Sequence, residues 1–158
     1  MPAHPRPRHA LAALVLLLAV GTAGAQGAAT AGDLVVERPW ARASIGAERP
    51  GAAYLTVRNV GAADDALTAV ETPAAHMAEL HRTEMRDGVA SMTPVDRAPI
   101  PAGGEMTLAP RGVHIMLMML TAPLKEGDSF PMALVFERAG RIEIDVPVHA
   151  IGSSGPDE

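Results

Sequence analysis

The segment GVHIMLMML, residues 112–120, places one histidine among three methionines. In a strand, successive side chains alternate between the two faces. One face of this segment then carries His114, Met116 and Met118, and the other carries Ile115, Leu117 and Met119, which are expected to face the core. The first set begins with a His-x-Met pair, in which an imidazole nitrogen and a thioether sulfur can both bind a soft metal ion.

A second His and Met pair lies in the segment HMAELHRTEMRDGVASM, residues 76–92. The dipeptide Asp87-Gly88 between two alternating runs predicts a two-residue hairpin turn. That turn pairs Thr83 with Met92 and puts His81 on the same face as Met92, as a diagonal neighbour. Diagonal neighbours lie about 7–8 Å apart, so the imidazole and the thioether can converge on one ion.

Other polar or thioether side chains lie near these pairs. Met77 and Met85 share the face of His81, whereas His76 has the opposite parity and is expected on the surface. Met85 and Met118 are either additional thioethers around a metal site or ordinary packing residues.

The four donors His81, Met92, His114 and Met116 leave two interpretations open. Two imidazoles with two thioethers suit Cu(I), whereas zinc sites use Cys, His and carboxylates, and calcium or magnesium sites use oxygen. Methionine is also a common filler of irregular cores. The same residues are therefore compatible with a methionine-rich core and incidental histidines.

The composition excludes several classes of function. The sequence has no cysteine, which rules out a blue-copper site, a thiol nucleophile and a thiol-disulfide exchanger. The formal net charge is −5, so the chain has no electrostatic attraction to nucleic acid or anionic lipid. Any soft-metal site must use methionine and histidine.

Residues 1–25 have the pattern of a secretory signal peptide. Arg6 and Arg8 precede an apolar run from Leu11 to Val20, and Ala23-Gly24-Ala25 fits a small-x-small cleavage site. The apolar run is short for a membrane anchor, the alternative interpretation. Cleavage would leave 133 residues with a net charge of −7 and no further membrane span. We expect periplasmic localisation and a monomer.

The rest of the chain predicts one all-β domain, an antiparallel β-sandwich. Short segments separated by Gly, Pro and Asp turns favour such a fold. The predicted strands are Leu34–Arg38, Ala53–Val60, Ala66–Glu71, Ala78–Arg86, Val89–Val95, Glu105–Leu108, Val113–Leu120, Ser129–Phe136 and Arg141–Val148. We expect a flexible leader at residues 26–33, the folded domain at 34–149 and a disordered tail at 150–158.

The spacing of the four donors is also that of a known family. His81, ten residues, Met92, twenty-one residues and His114-x-Met116 resemble the ligand motif of the PCuAC family (DUF461) of periplasmic copper chaperones. The segments RPWARAS, GAAYLTVRN, AELHRTEM, PAGGEMTLAPRGVHIMLM and PLKEGDSFPMALVFE are similar to that family as well. The resemblance spans roughly Leu34 to Val148 and implies a cupredoxin-like fold that binds one Cu(I) per chain.

The resemblance implies a carrier rather than an enzyme. The acceptor it implies is apo cytochrome c oxidase subunit II, at its CuA centre, or a Sco-type copper protein. A copper-sequestering protein is an alternative, and a copper-dependent oxidoreductase is a weaker one, because two His and two Met ligands favour Cu(I) over redox turnover. Some family members carry a His- and Met-rich C-terminal extension. Here the tail is HAIGSSGPDE, so a second site at His149 is not expected.

Overall fold

The computed structural model describes Met1 and residues 28–157. The predicted signal peptide beyond Met1 lies outside the described residues. Within them the chain forms strands and no helix, so none of this part has a helix long and apolar enough to cross a membrane. The strands are β1 (Ala29–Ala31), β2 (Leu34–Arg42), β3 (Gly51–Asn59), β4 (Asp65–Glu71), β5 (Ala75–Arg86), β6 (Val89–Pro94), β7 (Ala98–Ile100), β8 (Glu105–Leu108), β9 (Val113–Leu120), β10 (Ser129–Phe136) and β11 (Gly140–His149).

The strands form two layers that are connected through β11. The hydrogen-bonded order is β6-β5-β9-β3-β2-β11-β10-β4-β7, with β1 beside β2 and β8 beside β3. Strand β11 pairs with β10 along most of its length and with β2 only at Val148 and His149. That last contact is parallel, while every other strand pair in the described chain is antiparallel.

The core lies between the layers and is built from alternate side chains of both. Leu80 and Ile115 come from the β5–β9 pair, and Leu67, Leu134 and Val146 come from the opposite layer. All five are buried. The predicted all-β sandwich is therefore confirmed, and the nine predicted strands correspond to nine of those observed.

Strands β1 and β7 were not predicted, and β2 extends well beyond its predicted end. Strand β7 contains Pro99, which weakens a strand signal but is tolerated because β7 is an edge strand. Strand β2 continues beyond Arg38 through a bulge, where Arg38 takes a φ of 48°. The bulge turns Trp40 to face Tyr54 across the β2–β3 pair.

The predicted leader and tail are both corrected. Ala29–Ala31 forms β1 and pairs with β2 through a tight turn at Gly32-Asp33, with Gly32 at a φ of 56°. In the tail, Ser153 is buried and its carbonyl accepts a 2.7 Å hydrogen bond from Arg42 Nε. The domain therefore begins before Leu34, and residues beyond His149 pack against it.

The prediction for Met119 was wrong. Met119 is 58% exposed, whereas Leu120 is buried. The backbone of Met119 has a φ of 53°, which is rare for a residue with a side chain and interrupts the strand alternation. The core side of β9 is therefore formed by Ile115, Leu117 and Leu120.

A buried carboxylate fastens β4 to the turn between β10 and β11. Asp65 accepts hydrogen bonds from the backbone N–H groups of Ala66 at 2.7 Å and of Arg138 and Ala139 at 2.9 Å each. Burial raises the pKa of the Asp65 carboxyl. The three backbone donors outweigh that effect, so its pKa lies below the ordinary value of 3.8.

We expect Asp65→Asn to lower the free energy of unfolding by about 1–3 kcal/mol near neutral pH, because the amide removes a charged acceptor from three buried donors. The lowered folded-state pKa stabilises the protein above pH ~4, and this contribution is lost as the pH falls through that pKa. Urea unfolding of the wild type and of Asp65→Asn should show this difference in the free energy of unfolding at neutral pH, and a smaller difference near pH ~2. An equal difference in the free energy of unfolding at both pH values would contradict the stabilising role of the Asp65 carboxylate.

Candidate metal centre

The β5–β6 hairpin has the register that its turn residues predicted. Asp87 and Gly88 form the two-residue loop, with φ values of 52° and 80°. Both values are positive, as a type I′ turn requires. Thr83 faces Met92 and His81 faces Pro94, so His81 and Met92 are diagonal neighbours on one face.

The β5–β9 pair brings the two halves of the motif together. His81 lies directly opposite His114, and Glu79 lies opposite Met116. Because cross-strand partners and residues two apart share a face, all four predicted ligands lie on the same face of the strands β6, β5 and β9. The two imidazole ring centroids are 6.4 Å apart.

Burial is graded across these four residues. His114 is 5% exposed, His81 and Met116 are half-buried, and Met92 is 53% exposed on the edge strand. Ala52 on β3 lies opposite Met116, and its small side chain leaves room beside the thioether. The histidines therefore form the inner part of the site and Met92 its outer part.

The hydrogen bond of His81 fixes which ring nitrogen is available. Its Nε2 lies 3.2 Å from Glu79 Oε2. An ionised carboxylate can only accept, so in the neutral imidazole Nε2 carries the proton and Nδ1 keeps the lone pair. That Nδ1 atom is buried and is the single buried side-chain nitrogen or oxygen without a hydrogen-bond partner in the described chain. A buried lone pair without a donor is suited to a metal ion.

His114 is held in the opposite tautomer by a backbone carbonyl. Its Nδ1 lies 3.1 Å from Gly112 O, which can only accept, so Nδ1 donates and, in the neutral imidazole, Nε2 keeps the lone pair. The same carbonyl accepts from the backbone N–H of Thr83 at 3.2 Å. Gly112 thus orients the His114 ring and ties β5 to the beginning of β9.

The residues present fit a soft monovalent ion. Imidazoles that share one ion through bonds of about 2.0–2.1 Å, the length seen in zinc sites, have centroids at most roughly 6.5 Å apart, so the observed 6.4 Å lies at the upper limit and the rings would approach each other when four donors bind. Among residues 28–157, no three His, Cys, Asp or Glu side chains gather closely enough to hold a metal. Met92 and Met116 lie on the same strand face as His81 and His114, and a donor set of two imidazoles with two thioethers favours Cu(I).

An aromatic group borders the site on the β3 side. The Tyr54 ring lies 6.5 Å from His114 and 4.5 Å from Trp40. Burial raises the pKa of the Tyr54 hydroxyl, although the Arg42 charge opposes the shift. The Arg42 guanidinium lies over both rings, 5.9 Å from Trp40 and 5.7 Å from Tyr54. This group fills the space beside His114 and limits the approach of water from that side.

Sequence reasoning missed the partners of the two histidines. Glu79 is two residues before His81 in the same strand and was not singled out from the sequence. The role of Gly112 was not predicted, because every residue has a backbone carbonyl and the residue type does not show which carbonyl accepts a hydrogen bond. Glu79 could have been predicted as a partner of His81 only from their spacing, because residues two apart on a strand share a face.

Comparison with known proteins identifies the family. The sequence model of the family described as "Putative lipoprotein LpqE-like" matches residues 34–148. The chain belongs to the LpqE-like family. A relative from Leifsonia xyli subsp. xyli, Lxx21020, carries the same lipoprotein description and is 33% identical over 114 residues, which cover 72% of this chain and 68% of the relative.

Solved structures similar to this LpqE-like chain include PCuAC domains. The apo PCuAC domain of PmoF2 is 27% identical, with a TM-score of 0.68 over 82% of this chain and 99% of that domain. The copper-bound form of the PmoF2 domain is 28% identical, with a TM-score of 0.66 over 77% and 96%. The Cu(I) form of DR1885 from Deinococcus radiodurans is 32% identical, with a TM-score of 0.56 over 72% and 78%. The resemblance to PCuAC is thereby confirmed.

We expect the two histidines to populate opposite neutral tautomers in the metal-free protein. Long-range ¹⁵N–¹H NMR should show the proton of His81 on Nε2 and that of His114 on Nδ1, because their acceptors differ. Glu79→Leu should release the tautomer of His81 and leave that of His114 unchanged. Glu84→Leu, on the other face of the same strand, is the control and should affect neither. An Nδ1-protonated His81 in the wild type would contradict this reading.

Proposed function

We propose that this chain is an exported Cu(I) carrier that binds one ion through His81, Met92, His114 and Met116. One observation carries the proposal: the buried, unpartnered Nδ1 belongs to His81, a residue that pairs with His114 on the strand face that also holds both thioethers. The copper-bound PmoF2 domain and Cu(I) DR1885 share this fold and support the choice of metal.

The donor set suits a carrier because it holds the ion without thiolates. All four donors are neutral, so their combined affinity is lower than that of a thiolate site and an acceptor with cysteine ligands can remove the ion. Copper stays Cu(I) throughout, and each exchange breaks one bond to this chain as one bond to the acceptor forms. Met92 is the most exposed donor and leaves first, while His114 is the most buried and leaves last.

The destination we propose is the CuA centre of cytochrome c oxidase, directly or through a Sco-type protein. The compartment we propose is the periplasm, in keeping with the signal-like residues 1–25 and the lipoprotein description of the family. A thioether-linked lipid needs a cysteine sulfur, and none of these 158 residues is a cysteine.

Anaerobic Cu(I) titration followed by mixing with an apo CuA domain tests the proposal. We expect one tightly bound ion with nitrogen and sulfur in its first shell by X-ray absorption, because the proposed ligands are two imidazoles and two thioethers. The ion should then appear in the apo CuA domain. A first shell of oxygen alone would refute the site. Tight binding without transfer would instead make the chain a copper-sequestering protein.

The thioethers can be tested without disturbing the fold. Met92→Leu combined with Met116→Leu conserves volume, so it should change the free energy of unfolding by less than about 1.5 kcal/mol. Leucine has no lone pair for the ion. We therefore expect Cu(I) affinity against a competing chelator to fall by more than about 100-fold, beyond what loss of an outer partner usually causes.

A buried methionine provides the matched control for this double variant. Met132 lies in the core of the opposite layer, so Met132→Leu should alter packing only and leave copper affinity at the wild-type value. Wild-type affinity in the Met92→Leu, Met116→Leu variant would show that these methionines are not ligands.

A further inference from the structure

A third pair of cross-strand partners continues the site along the same two strands. The first two pairs are His81 with His114 and Glu79 with Met116. The next pair along these strands is Met77 with Met118. Met77, Glu79 and His81 are each two residues apart, as are His114, Met116 and Met118, so all six share one face. The Met77–Met118 pair is therefore next to the candidate centre and on the same side of the sheet.

The spacing of this pair allows two sulfurs to reach one ion. Directly opposed residues have Cβ atoms about 4.5–5.5 Å apart, and methionine side chains are long and unbranched. Residues two apart on a strand are separated by roughly 6.5–7 Å. Met116 lies between Met118 and His114 on the same face of β9. It is therefore both the neighbour of Met118 and a proposed ligand of the copper site.

Core packing does not account for this pair. Met77 is 42% exposed and Met118 is half-buried, whereas the packing methionines Met106 and Met132 are buried. The core beneath this part of β9 is filled by Leu117 and Leu120. A leucine would fill the half-buried position of Met118 equally well, so this pair of opposed methionines needs another explanation.

We infer that Met77 and Met118 form a second, weaker soft-metal site that loads Cu(I) onto the histidine site through Met116. This inference builds on the proposed function. The pair offers two neutral thioethers and no imidazole, which suits a monovalent soft ion in two-coordinate geometry. Transfer breaks the bonds to Met77 and Met118 as bonds to Met116 and His114 form. The ion keeps its charge, and no electron or proton moves.

Silver titration followed by NMR tests the second site directly, because Ag(I) is a diamagnetic soft ion. With ¹³C-methyl methionine, the first equivalent should shift Met92 and Met116. The second should shift Met77 and Met118 together, with an affinity at least roughly tenfold weaker, since imidazole donors are absent there. Met85 is 66% exposed on the same strand and face and should not shift with them.

Variants separate the second site from the first. Met77→Leu combined with Met118→Leu should abolish the second Ag(I) equivalent, leave the affinity for the first unchanged and slow Cu(I) loading from a weak donor ligand. Met85→Leu is the control and should change none of these. Equal shifts at Met85 and Met77 would show nonspecific binding to exposed thioethers and overturn the inference. An unchanged loading rate in the double variant would likewise overturn the loading role.

The test also distinguishes failure of this inference from failure of the proposed function. If the first equivalent shifts Met92 and Met116 together with the ring signals of ¹⁵N-labelled histidine, while Met77 and Met118 stay unchanged, the carrier proposal stands and the second site is refuted. If the first equivalent leaves the histidine rings unchanged, the carrier proposal itself fails.

Discussion

The candidate site depends on the register between β5 and β9. His81 can lie opposite His114 only because Leu80 lies opposite Ile115, and both of these apolar side chains are buried in the core. A slip of one residue would turn Leu80 outward and His81 inward, at the cost of burying an imidazole in an apolar core. The packing between the layers therefore sets the distance between the two histidines, and hydrogen bonding then adjusts their rings.

Local features, such as turns and the alternation of side chains along a strand, could be predicted from the sequence. The pairing of strands that are distant in the sequence could not. Asp87-Gly88 defined the hairpin, so the relation of His81 to Met92 followed from turn chemistry. The approach of His114 to His81 is a pairing between distant strands, and only the family resemblance anticipated it. Strand parity placed Ile115 and Leu117 correctly, and it failed at Met119 because that residue has a positive φ. Alternation assumes an extended backbone at every step.

Rigidity and mobility are distributed unequally around the site. The candidate ligands His81 and His114 lie on paired strands with hydrogen-bonded rings, so little ordering would be needed if an ion binds there. Met92 is on an edge strand whose side chains are all exposed, and its thioether has three rotatable bonds. A carrier needs both properties, because a fully rigid cage would release its ion slowly and a fully mobile one would hold it weakly. Because β6 is an edge strand, the side chain of Met92 can move without disturbing the packing of the core.

The carbonyl of Gly112 connects the fold to the chemistry at one atom. It accepts from Thr83 N on β5 and from the His114 ring on β9, so the short turn that holds it positions a strand and a ligand together. In that turn Ala109 N donates to Val113 O at 2.9 Å, and Arg111 takes a φ of 68°. A change in the turn would therefore rotate the His114 ring and loosen the β5–β9 contact at the same time. The tautomer of His114 is set by the backbone, whereas that of His81 is set by the exposed carboxylate of Glu79. The two imidazoles thus differ in how easily their orientation can change, and the more buried one is the less adjustable.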